Sequence, residues 1–213
     1  MNNAKDNLDK ITKRPIQYWF EDGIGELITG GLFTLIGIYF VLQEFINSSL
    51  IKGLFGILSV VIIGGGTILG RVLIGKLKER LVYPRTGYVG FAKRPSKRKL
   101  AITLSVVIGV AILVLMLGSS SSVFNWVPLV IGVICGGLML YQATQTGIYR
   151  LYIEASLAFL IGATISILGK SEPLGSGLFF VIYGLIMVFA GGCALRNYFR
   201  QAPPLSNLEE ARE

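Results

Sequence analysis

No charged residue occurs in residues 100–149, which read LAITLSVVIGVAILVLMLGSSSSVFNWVPLVIGVICGGLMLYQATQTGIY. A helix rises about 1.5 Å per residue, so about 20 apolar residues cross a hydrocarbon core of about 30 Å. The segment is long enough for two such helices, and the serines from Ser119 to Ser122 provide a polar turn between them. We therefore expect a pair of membrane-spanning helices here.

The same pattern recurs along the rest of the chain. Six stretches are free of charged residues or nearly so: Leu27–Leu42, Gly53–Gly70, Leu100–Gly118, Trp126–Leu140, Ala155–Leu168 and Leu174–Leu195. The shorter ones reach spanning length with flanking residues such as Gly25, Gln43 and Tyr141. A mean hydropathy of +0.66 over 213 residues leaves no room for a sizeable soluble domain. The sequence predicts an all-α integral membrane protein. Its six transmembrane helices form three helical hairpins over residues 23–200, between tails at 1–22 and 201–213.

The basic residues predict the orientation of these helices. Eighteen of the twenty Lys and Arg residues lie before the first stretch, after the last stretch, between the second and third stretches, or between the fourth and fifth stretches. The exceptions are Lys52 and Lys170. Short loops rich in Lys and Arg remain in the cytoplasm. We therefore expect an integral plasma-membrane protein with both termini in the cytoplasm. The net charge of +8 then reflects topology and attraction to anionic inner-leaflet lipids rather than nucleic acid binding.

The composition argues against most enzyme classes. The chain has no histidine, which is the commonest metal ligand and general base. Its two cysteines, Cys135 and Cys193, lie within predicted spans four and six, so neither a disulfide framework nor a metal cluster is expected. We expect a non-enzymatic protein without a cofactor or metal. A lipid-modifying enzyme would have to use Glu, Tyr or Arg chemistry at the inner interface.

Two glutamates lie just inside apolar stretches, on helices that begin at the predicted cytoplasmic face. Ionisable groups in a bilayer are costly, so Glu26 and Glu154 raise the hypothesis of a proton or cation site. A structural explanation competes with it, because a carboxylate in the first turn of a helix is favoured by the helix dipole. Arg150 precedes Glu154 by four residues and could be its partner. The sequence favours the structural explanation and leaves the ion site open.

Polar residues cluster at the inner end of predicted span four, where Gly137, Tyr141 and Gln145 share one helix face. With charged residues predicted at similar depth they could form a cytoplasm-facing polar pocket. Its candidate members are Glu26, Glu154, Arg150, Tyr141, Gln145, Arg71 and Arg196. The simpler alternative, which the sequence favours, is that span four ends around Leu140 and its polar residues enter the interface.

Small residues four apart allow helix backbones to approach closely. Such stripes occur in three predicted spans: Gly66 and Gly70; Gly132 and Gly136; and Ala158, Gly162 and Ser166. We expect most of them to hold the helices of one chain together, although some could serve a homo-oligomer or a protein partner. The first and third predicted hairpins also share a glutamate in the first helix and a glycine doublet in the second, which leaves an internal repeat open.

The predicted inner loop, residues 76–99, is the most distinctive segment. Tyr83–Tyr88 reads YPRTGY, a turn sequence flanked by apolar residues that include Leu81 and Val82, and it predicts a short hairpin. A polybasic run follows from Lys93 to Lys99. Such runs bind anionic lipid, at about 1 kcal/mol per cation. The residues expected to bind a partner or lipid headgroups are Arg85, Lys93, Arg94, Lys97, Arg98 and Lys99. The loop could instead serve only to determine topology.

Two functions remain. The sequence favours a subunit or accessory protein that docks a partner or anionic lipid through the basic loop. The alternative is a small transporter or channel for an ion or polar solute that uses the inner polar pocket.

Overall fold

The computed structural model describes residues 20–46, 48–82, 126–169 and 173–201. Within these ranges every regular element longer than one turn is an α-helix: α1 Ile24–Glu44, α2 Ser49–Leu81, α3 Val127–Thr146, α4 Tyr149–Ile167 and α5 Leu174–Gln201. Four of them, α1, α3, α4 and α5, are long and apolar enough to cross a membrane. The described residues thus confirm the predicted all-helical class, and they contain four helices that could span a membrane.

Five of the six predicted stretches coincide with these helices, and the third, Leu100–Gly118, lies outside the described residues. The helix containing the fourth stretch does not end around Leu140. It continues to Thr146, because Gly147 provides the left-handed conformation (φ 72°) that closes it. The polar residues that follow Leu140 are therefore part of the helix.

The predicted inner loop also begins later than expected. Residues 76–81 form the last turns of α2, and the Val82 amide donates to the Lys78 carbonyl at 3.0 Å. Leu81 and Val82 therefore extend and cap a helix and do not begin the predicted hairpin. The rest of that hairpin and the polybasic run lie outside the described residues.

The closest helix contact joins α1 and α5 through their backbones. It consists of three antiparallel glycine pairs that recur every seventh residue: Gly23 with Gly191, Gly30 with Gly184, and Gly37 with Gly177. A Cβ atom added at Gly30 would lie 2.6 Å from the Gly184 carbonyl oxygen, too close for any real contact. We call these six residues the glycine interface. Because lipid removes the hydrophobic drive between helices, this close packing is what holds α1 against α5.

The same seven-residue period determines which α1 side chains lie beside the glycine interface. The residue three positions after each α1 glycine is Glu26, Phe33 or Phe40. The Phe33 ring lies 5.4 Å from that of Phe180 and 6.2 Å from that of Tyr183, both on α5. Residues seven apart, together with the residues three positions after each of them, lie on one face of a helix. Glu26 therefore occupies the first of three inward positions whose other two members are packed aromatic rings.

A second pair of helices, α3 and α4, uses the small residues that the sequence singled out. A Cβ atom at Gly132 would lie 2.6 Å from the Ala158 carbonyl oxygen and 3.2 Å from the Gly162 Cα. Ser166 on α4 accepts a hydrogen bond from the Leu129 amide at 3.0 Å. By contrast, Gly70 on α2 faces the Leu32 side chain rather than a backbone. The α3 and α4 stripes thus face each other within one chain.

One apolar cluster connects the two helix pairs. Its fully buried members are Ala158 on α4 and Phe179, Tyr183 and Met187 on α5, with Cys135 of α3 packed against them. Helices α1, α3, α4 and α5 therefore share one interior, and polar side chains directed into it meet there.

Neighbouring glycines on α1 allow a matched test of the glycine interface. We expect Gly30→Ala to lower the free energy of unfolding by about 1–3 kcal/mol, because its methyl group would overlap the α5 backbone. Gly31→Ala is the control, since a Cβ there meets nothing within 4 Å and alanine favours a helix. Thermal unfolding in detergent measures both. Equal stability of the two variants would contradict the interface.

Candidate functional site

A buried arginine–glutamate pair joins α1 to α4. Arg150 Nη2 donates to Glu26 Oε1 at 2.7 Å, and Arg150 Nε lies 2.7 Å from Oε2. The same Nη2 donates to the Phe20 carbonyl at 2.9 Å. Glu26 is 4 % exposed. One guanidinium thus holds both the carboxylate of α1 and the backbone just before it.

The pairing differs from the one expected from sequence spacing. Arg150 pairs with Glu26, 124 residues away, and not with Glu154 on the next turn of its own helix. The reason is geometric, because both Glu26 oxygens face the guanidinium and a two-point contact of this kind is the strongest that arginine makes. Glu154 is left without an arginine of its own.

Glu154 is the most unusual group in the described part of the chain. It is 2 % exposed, and neither of its carboxyl oxygens has a hydrogen-bond donor among the described residues. Its carboxyl lies close enough to that of Glu26 to form a side-chain hydrogen bond, with Arg150 nearby. Two ionised carboxylates only accept hydrogen bonds. A bond between these two therefore requires a proton on one of them.

Tyr183 of α5 completes the cluster. Its ring is fully buried, and its hydroxyl has no hydrogen-bond partner among the described residues. Glu154, Cys135 and Glu26 all act electrostatically on that hydroxyl. The Glu154 carboxyl and the Tyr183 hydroxyl are thus two unsatisfied polar groups in an apolar interior.

A second buried ion pair fixes the start of α1. Asp22 Oδ2 lies 2.9 Å from Lys78 Nζ on α2, and the two side chains are 1 % and 2 % exposed. Asp22 Oδ1 also accepts from the Ile24 amide at 3.1 Å, which caps α1. Burial lowers the pKa of Lys78 because it removes the ammonium group from water, and Asp22 opposes that shift. The turn before α1 is therefore held from two sides, by Lys78 and Arg150.

Three of these residues are not among the candidates from the sequence. Asp22 falls in the predicted N-terminal tail, Lys78 in the predicted inner loop, and Tyr183 in predicted span six. The signal for Tyr183 is its position beside Gly184, within the seven-residue glycine period. No signal for the Asp22–Lys78 pair was visible, because nothing local links residues this far apart.

The remaining predicted pocket residues lie elsewhere. Tyr141, Arg71 and Arg196 are exposed and Gln145 is half-buried. In residues 20–46, 48–82, 126–169 and 173–201, no hydrogen bond or ion pair joins any of these four to Glu26 or Glu154. Of the seven candidates, the structure brings together Glu26, Arg150 and Glu154. The loop residues Arg85, Lys93, Arg94, Lys97, Arg98 and Lys99 fall outside the described ranges.

Among the described residues, no group of three or more His, Cys, Asp or Glu side chains could hold a metal ion. No family model, curated protein or solved structure matches the chain. The chemistry of the site must therefore be argued from its own geometry.

A double-mutant cycle tests the Arg150–Glu26 pair. We expect Arg150→Gln to cost about 3–5 kcal/mol of unfolding free energy, because it leaves a buried carboxylate without its cation. Combining it with Glu26→Gln should recover at least about 1 kcal/mol of that loss. Thermal or denaturant unfolding in detergent measures the cycle, with the exposed Arg71→Gln as the control. Strictly additive effects would show that the two side chains do not interact.

Proposed function

We propose that the chain is a small membrane transporter for an ion or polar solute, whose coupling ion binds at Glu26, Arg150 and Glu154. The observation that carries the proposal is Glu154, a buried carboxyl without a donor beside a carboxylate that already occupies the nearby arginine. One cation for two acids leaves the cluster one positive charge short. A bound ion supplies that charge.

The competing structural explanation accounts for only one of the two glutamates. Glu26 lies in the first turn of α1, where the helix dipole and Arg150 both stabilise a carboxylate. Glu154 lies beyond the first turn of α4, and Arg150 is engaged elsewhere. An unpaired buried charge costs several kcal/mol, so a purely structural residue at position 154 would be better apolar or amide. Intramembrane acids of this kind are typical of ion pathways.

The contacts around Arg150 suggest how ion binding is coupled to movement. When the ion leaves Glu154, two carboxylates compete for one guanidinium, and Arg150 is drawn from Glu26 towards Glu154. The Phe20 carbonyl loses its donor in that shift, while Asp22 two residues later stays bound to Lys78. The turn before α1 then rearranges about the Asp22–Lys78 pair. Such a pair of states, biased by the bound ion, is the minimum that alternating access requires.

The proposal includes the membrane arrangement derived from the sequence. The chain would cross the plasma membrane six times as three hairpins, with both termini in the cytoplasm. The basic residues support this orientation through the positive-inside rule. It places the start of α1 and the start of α4, and with them the ion site, near the inner end of the bundle.

A second proposal retains the role favoured by the sequence. The chain could act as a subunit or accessory protein, binding a protein partner or anionic inner-leaflet lipid through the loop that follows α2. The polybasic run from Lys93 to Lys99 supports it. The two roles are compatible, because they use different parts of the chain.

The transport proposal is tested by flux in proteoliposomes with an imposed membrane potential. Ion-coupled flux through the full chain should fall at least about 10-fold in Glu154→Gln and in Glu26→Gln, because each removes a carboxylate from the ion site. Glu79→Gln, which changes an exposed glutamate of α2, should leave flux unaltered. Flux that is insensitive to both site variants would rule out carboxylate coupling.

The docking proposal makes a separate prediction. Reversing the charges of Lys93, Arg94, Lys97, Arg98 and Lys99 should abolish recovery of a partner from native membranes in mild detergent, because the basic surface is lost. The topology of the variant is checked by accessibility of the two termini. Unchanged recovery with preserved topology would count against the docking role.

A further inference from the structure

We infer that the ion bound at this site is a proton, carried on the Glu154 carboxyl and donated in a hydrogen bond to Glu26. The inference rests on the proposed ion site and names its ligand. It would also stand if the protein moved no solute, because it concerns what the site binds.

The charges around Glu154 favour a single proton. The charged groups that act on Glu154 are Glu26 from α1 and Arg150 from its own helix, and Glu154 acts in turn on Tyr183 of α5. Asp22 acts on Glu26 from the start of α1, but its own charge is balanced by Lys78. With both glutamates ionised, Glu26, Glu154 and Arg150 sum to one negative charge. One proton neutralises the cluster.

The geometry disfavours an alkali cation in the same place. A metal cation needs several oxygen ligands around it, whereas a shared proton needs two facing carboxyl oxygens. The two carboxyls interact directly with each other, an arrangement that a shared proton satisfies. The Arg150 guanidinium also lies close to both, and it repels any cation placed there.

The contacts indicate which glutamate carries the proton. Both oxygens of Glu26 face Arg150, and that contact stabilises the ionised form of Glu26. Glu154 has no donor in the described part of the chain, so only its protonated form gains a hydrogen bond, by donating to Glu26. Glu154 is therefore the proton carrier and Glu26 the acceptor.

Infrared difference spectroscopy of the full chain in lipid bilayers tests the assignment. Stepping the sample from about pH 5 to about pH 10 should remove one carboxylic acid C=O band, with a shift of that band in D₂O. The band should be missing in Glu154→Gln. Glu79→Gln, which changes an exposed glutamate of α2, should leave the band in place.

Three results would overturn the inference. The first is a spectrum in which no carboxylic acid band changes over this range, and the second is a band that persists in Glu154→Gln. The third is a loss of the band at constant pH when sodium or potassium replaces choline, which would assign the site to an alkali cation and leave the transport proposal standing. Should Glu154→Gln not fold, Glu154→Asp serves instead, because it keeps the acid and must shift the band. A titrating band without flux would uphold the proton and refute transport.

Discussion

The backbone contact between α1 and α5 is the constraint on which the rest of the structure depends. Three glycine pairs at seven-residue intervals bring two helices so close that no side chain fits between them. A contact of this kind tolerates neither a shift in register nor a rotation of either helix. It therefore determines which residues of α1 are directed into the interior, and one of them, Glu26, is charged.

The polar site follows from that constraint. Once Glu26 is fixed beside α5, the start of α4 supplies Arg150, and Arg150 then binds the carboxylate across the chain rather than the one on its own helix. Glu154 is consequently left buried beside an occupied arginine, without a hydrogen-bond donor among the described residues. Its cost in an apolar interior is the reason for the ion site proposed above.

The sequence predicted the membrane class because apolar length and the absence of charge are local properties, and the stripe from Gly132 to Gly136 was recognised for the same reason. The seven-residue spacing of Gly23, Gly30 and Gly37 is less evident in the sequence, because other glycines such as Gly25 and Gly31 lie between them. The partner of Arg150 could not be predicted, since spacing along α4 favours Glu154 and the choice of Glu26 depends on helix packing. The burial of Lys78 likewise depends on the close approach of α2 to the start of α1.

Solid-state NMR in lipid bilayers can detect the contact between Arg150 and Glu26 itself. Protein labelled with ¹⁵N in arginine and ¹³C in glutamate should show strong carbon–nitrogen dipolar coupling between one side-chain carboxyl and a guanidinium. That coupling should disappear in Glu26→Gln and survive in Glu154→Gln. A coupling that instead disappears only in Glu154→Gln would show that Arg150 pairs with Glu154 on its own helix, contrary to the structure.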